Sequence, residues 1–174
     1  IFKQSFSTLF MLHSVAEPGT LSYQVLFGLM VALACVKFLL SVVLYSKMKK
    51  RRDDPNAIAN YFIKSVAFLI YCLFIARVFF IVFDFHFTQL DPNLYHESPN
   101  IWLWKLGSVF TSIGALPLLA HLDKVVLKKK MHFVPVYVLF VGAMIVLAYP
   151  VDDKADFNLI SLIGILSGLG SLII

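Results

Sequence analysis

Arg77 lies inside FLIYCLFIARVFFIVFDF, an apolar run over 68–85, and Asp84 follows it in the same run. A helix advances about 100° per residue, which sets the two side chains within about 20° of each other and about 10 Å apart along the axis. A guanidinium and a carboxylate so placed can pair, Arg77 reaching outward toward Asp84, or Arg77 can turn sideways to an acceptor on a neighbouring helix. They can also flank an outward-facing polar pocket for an anionic ligand. Lys105, near the start of the third apolar run, completes a candidate ligand-binding set of Arg77, Asp84 and Lys105.

A second set of charges lies toward the other end of the runs. Lys37 sits about 13 Å from the inner end of the first run, which contains no acid to neutralise it. Its nearest candidate by depth is Asp123, at the inner end of the third run. A Lys37–Asp123 pair shared with Lys64 is expected to tie the first three helices together. In the second run Tyr61, Lys64 and Tyr71 form one polar face and Arg77 with Asp84 another, so this helix is expected to be central. Proton and ion relays recruit acids at mid-membrane depth, and the runs hold none there.

Asp84, His86, Asp91, His96 and Glu97 form the one cluster of metal-ligand types. The spacing of His86 and His96 across a proline-containing loop differs from zinc-site spacings and from HExxH, so no metal is expected. Asp152, Asp153 and Asp156 make the same side acidic and read as a solvated loop. The chain has no nucleophile elbow, phosphate-binding loop, dinucleotide fingerprint or Cys–His pair. No catalytic residue, no cofactor and no enzymatic activity are expected.

The elements that must position these groups are apolar rods. Hydrophobic residues make up 60% of the chain and charged ones 14%, a composition that suits a bilayer. About 20 residues span the roughly 30 Å hydrocarbon core, and five runs approach this length: about 21–46, 58–84, 101–122, 133–151 and 157–174. Their continuity favours helices over barrel strands, which are shorter and alternate. The expected fold is therefore all-α, a polytopic transmembrane helix bundle over 21–174 with five spans. Residues 1–20 are expected to be an extracytoplasmic segment with an interfacial helix. The start at Ile1 and the stop at Ile174 within an apolar run lead us to expect a part of a longer protein. Cys35 and Cys72 fall inside spans and read as small core residues.

Basic residues set orientation. KMKKRRDDPN after the first run and HLDKVVLKKKMH after the third are rich in lysine and arginine, whereas the intervening loops are acidic. The positive-inside rule puts loops 47–57 and 123–132 in the cytoplasm and the N-terminal segment outside, in the plasma membrane. The net charge of +5 then serves topology and attraction to anionic lipid headgroups, not nucleic acid. Asp53 to Asn56 reads as a turn and helix cap.

Small residues mark contacts. Gly107, Thr111, Gly114, Leu118 and His121 make one stripe on the third helix, which Pro117 is expected to kink. Gly164 and Gly168 have GxxxG spacing, with Ser167 and Ser171 at the same interval. Both patterns favour close helix approach, within the chain, in a homo-oligomer or with other membrane subunits. Trp102, Trp104 and Tyr149 fit an outer aromatic belt.

The lone Arg77 and Asp84, the WLWKLG entry to the third helix and its LDKVVLKKK exit resemble multi-spanning archaeal membrane proteins of unassigned role, over about residues 58–156. The resemblance implies a helical bundle of about seven spans when complete, and no activity. Three function classes follow: a non-enzymatic sensor or receptor-like bundle with a polar outer pocket, an accessory subunit whose glycine stripes face partner chains, and a transporter. The first requires a ligand-sized cavity and the second requires outward-facing stripes.

Overall fold

A computed structural model describes residues 19–50, 57–125, 128 and 133–173. Among the described residues there is no strand, and the helices are α1 (Leu21–Lys50), α2 (Ala57–Ile81), α3 (Asn100–Val125), α4 (Val134–Ala148) and α5 (Lys154–Ile173). A π-helical turn, Val82–Phe87, continues α2. The interfacial helix expected over 1–20 and the cap at Asp53 to Asn56 lie outside the described residues, apart from Gly19 and Thr20.

Local chemistry sets the helix boundaries. Gly19 adopts a φ of +89°, which side chains disfavour, and the Tyr23 amide then donates to Thr20 Oγ1 at 3.3 Å to start α1. Thr88 is fully buried and ends the π turn by donating to the Phe83 carbonyl at 2.9 Å. Asp153 caps α5, its Oδ1 accepting the Asp156 amide at 2.8 Å, while Asp156 Oδ2 accepts the Asp152 amide at 3.2 Å. The acidic loop is thus also a helix start.

Among the described residues three helices are long and apolar enough to cross a membrane, Leu21–Lys49, Asn60–Phe87 and Asn100–Val125. This is the make-up of a membrane protein. α4 has 15 residues, a rise of about 22 Å that falls short of the roughly 30 Å core. Many large apolar side chains stay exposed, such as Leu21 at 76% and Leu39 at 61% on α1. A surface of this kind is stable only against lipid or an apolar partner.

Successive helices pack antiparallel. Phe38 meets Phe74 with ring centroids 5.2 Å apart across α1 and α2, and Phe79 meets Phe110 at 5.6 Å across α2 and α3. Gly142 of α4 faces Ser167 of α5. α2 contacts both α1 and α3, α3 both α2 and α4, and α4 both α3 and α5, so α1 and α5 are the ends of the row and α3 its middle. The antiparallel order puts Lys47, Lys49, Lys124 and Lys128 at one end, and Asp84, Asp91, Glu97, Asp152, Asp153 and Asp156 at the other.

At the acidic end a chain of aromatic rings joins separate elements. Phe83 meets Tyr95 at 5.1 Å, Tyr95 meets Phe157 at 5.6 Å, and Phe157 meets Trp104 at 5.1 Å. Trp104 therefore packs inward, whereas Trp102 is exposed and fits an interfacial anchor.

Candidate ligand-binding site

Between α3, α4 and α5 lies a cavity of about 440 Å³, within the roughly 300–1,000 Å³ range of small-molecule sites. It exists because small residues line it. Gly142, Ala143, Gly164, Gly168 and Ala115 leave volume that larger side chains would fill, while Phe80 and Trp104 line it toward the acidic end and Leu122 toward the basic end.

Its polar groups are hydroxyls. Thr111 donates to the Gly107 carbonyl at 3.0 Å, Ser112 to Ser108 at 3.1 Å, Ser167 to Gly164 at 3.0 Å and Ser171 to Gly168 at 2.7 Å. These four hydroxyls have spent their protons on their own helices, so their oxygens meet a ligand as acceptors, and Ser108 and Ser161 also line the cavity. None of the lining residues is ionisable. An ion would lose its hydration there without a countercharge; a neutral apolar molecule with a hydroxyl or amide donor suits the lining.

The charged set expected to bind ligand does not converge on this cavity. Arg77 points to α1, donating from Nη1 to Met30 Sδ at 3.1 Å, while its Nε is buried without a hydrogen-bond partner. No ion pair joins it to Asp84. The π turn supplies the reason, because its wider winding moves Asp84 off the line that an uninterrupted α-helix would give it. Lys105 is elsewhere again. It is 4% exposed, sits 5.1 Å from the Trp102 ring centroid, and donates to the carbonyls of Tyr149 at 2.6 Å and Leu147 at 3.4 Å. That ammonium binds the C-terminal end of α4, where orphan carbonyls and the helix dipole favour a cation.

Lys37, Lys64 and Asp123 are likewise separate. Asp123 is buried, its Oδ2 accepting the Phe133 amide at 2.8 Å, so it holds the start of α4 against the end of α3. A carboxylate at a helix N-terminus is well placed electrostatically. Among the described residues no hydrogen bond or ion pair joins Lys37 to it. Lys64 is exposed beside the Tyr61 ring, 5.8 Å from its centroid. Tyr61 also stacks on His121 at 6.3 Å.

The glycines divide in the same way. A Cβ on Gly107 would lie 2.8 Å from the Phe80 ring and one on Gly114 2.6 Å from Cys72 Cβ, so both permit close packing of α3 on α2. Gly164 has only an ordinary contact with Val146, at 3.7 Å, and Gly168 has nothing within 4 Å. These two make room instead of contact. The close approach of α4 and α5 falls at Gly142, which sequence reasoning missed; its single spacing-independent glycine carries no periodic signal. Ser108 and Ser112 of the cavity lining were also missed, although their four-residue spacing puts them on one face of α3. Among the described residues no three His, Cys, Asp or Glu side chains are grouped to hold a metal.

The fold and cavity define a class: a helical membrane bundle with an uncharged, largely apolar cavity between helices that carries a few hydroxyl groups. No family model, curated protein or solved structure matches the chain.

Proposed function

We propose that the protein is a non-enzymatic, receptor-like membrane bundle whose α3–α5 cavity takes a neutral, largely apolar ligand carrying a hydrogen-bond donor. The observation that carries this reading is a ligand-sized cavity lined by hydroxyl oxygens and no ionisable group. In this reading all five helices lie in the plasma membrane, with the basic end cytoplasmic and the N-terminal segment outside. Arg77, Asp84 and Lys105 then act in the architecture, not on the ligand.

The test is purification in mild detergent followed by mass spectrometry of the extracted small molecules, for the wild type and for Ala143→Phe. A neutral species should accompany the wild type in fixed proportion and be lost from Ala143→Phe at unchanged helicity by circular dichroism. No such species, or one retained equally by both proteins, would overturn the reading.

A second reading, an accessory subunit of a larger assembly, is favoured by α1. It packs principally on α2 and leaves Val25, Leu29, Val36 and Val43 exposed. Reproducible co-purification of particular polypeptides, lost when these positions are changed to polar residues, would support it.

A further inference from the structure

A second concavity, of about 710 Å³, lies at the basic end between α1 and α2, with Pro117 of α3 in its wall. Phe38, Val42, Tyr45, Phe68 and Tyr71 line it, and each is 41–65% exposed. It is therefore an open groove on the outer surface of α1 and α2, separate from the α3–α5 cavity. One charged residue lines it, Lys64.

Lys64 lies seven residues into α2, about 10 Å along the axis from Ala57. It is exposed and has the Tyr61 ring beside it, and among the described residues no hydrogen bond or ion pair holds it. A lysine within an apolar helix is unfavourable unless its ammonium finds an anion or reaches the interface. Lys47, Lys49 and Lys124 are exposed at the same end of the bundle, and among the described residues that line the groove there is no acid. The groove's lining runs from Phe38 to Met48 on α1 and from Tyr61 to Tyr71 on α2, about 15 Å of helix rise, with the positive charge at Lys64.

We infer that this groove binds one anionic membrane phospholipid, an acyl chain lying along α1 and α2 and the phosphate meeting Lys64. The Lys64 ammonium in the groove lining favours a headgroup without a compensating cation, such as glycerol, over choline. This site stands independently of the ligand proposed for the α3–α5 cavity.

The test titrates the delipidated full chain in mild detergent with phosphatidylglycerol, phosphatidylcholine and oleate, following binding by native mass spectrometry. Phosphatidylglycerol should bind with one-to-one saturation, at least about tenfold more tightly than either competitor. Lys64→Gln should remove that preference, Lys64→Arg should restore it, and Lys47→Gln with Lys49→Gln should leave most of it, all at wild-type helicity. Equal binding of phosphatidylcholine would remove the headgroup role, and equal binding of oleate would make the site one for carboxylates. A preference that survives Lys64→Gln, or that falls as far in the double variant, would reduce the effect to diffuse surface charge and overturn the inference.

Discussion

The Lys105 ammonium donates to the Tyr149 carbonyl at 2.6 Å, which seats a buried cation on the C-terminal turn of a helix whose own carbonyls have run out of donors. Tyr149 in turn directs its hydroxyl to Asp156 Oδ1 at 3.3 Å. One side chain of α3 thus holds the turn between α4 and α5.

Replacing Lys105 by Met keeps the length and removes the donor. The abandoned carbonyls should lower stability by about 1–3 kcal/mol, read as an earlier unfolding transition in detergent. An unchanged transition would show that Lys105 does not secure this turn.

Gly114→Ala should destabilise by about 1–3 kcal/mol, because the added methyl meets Cys72 and the α2–α3 interface has to open. Gly168→Ala should be tolerated, since nothing lies within 4 Å of the new carbon. Thermal unfolding of the two variants side by side distinguishes packing glycines from those that only make space.

Arg77→Met should be milder than the loss of about 3–5 kcal/mol seen when one member of an intact buried ion pair is removed. The guanidinium has a thioether as its acceptor and leaves Nε buried without a hydrogen bond, so substitution removes an unsatisfied group together with the charge. A loss in the ion-pair range, measured by chemical denaturation, would contradict the observed geometry.

Burial pushes the Tyr95 phenol above the ordinary tyrosine range, and the Asp84 and Asp91 carboxylates act in the same direction. A folded-state value raised above the unfolded one means that the associated stability is complete below about pH 10 and is lost as pH rises through the folded value. Tyr95→Phe should therefore lose less stability than the wild type between about pH 9 and 12. Parallel pH profiles would exclude the titration.

The sequence by itself determined the material of the fold: apolar helical runs, the basic and acidic ends, and the Gly107 and Gly114 faces. These follow from composition and from the three- and four-residue spacing that places small residues on one side of a helix. Tertiary structure alone decided where the charges go. The partner of Lys105 lies 44 residues away, and the separation of Arg77 from Asp84 depends on a local π turn that no spacing announces. The cavity was also invisible, because it is the volume left when three helices settle at particular distances. Helices that are apolar on every side, as these are, carry little amphipathic signal to say which face meets which neighbour.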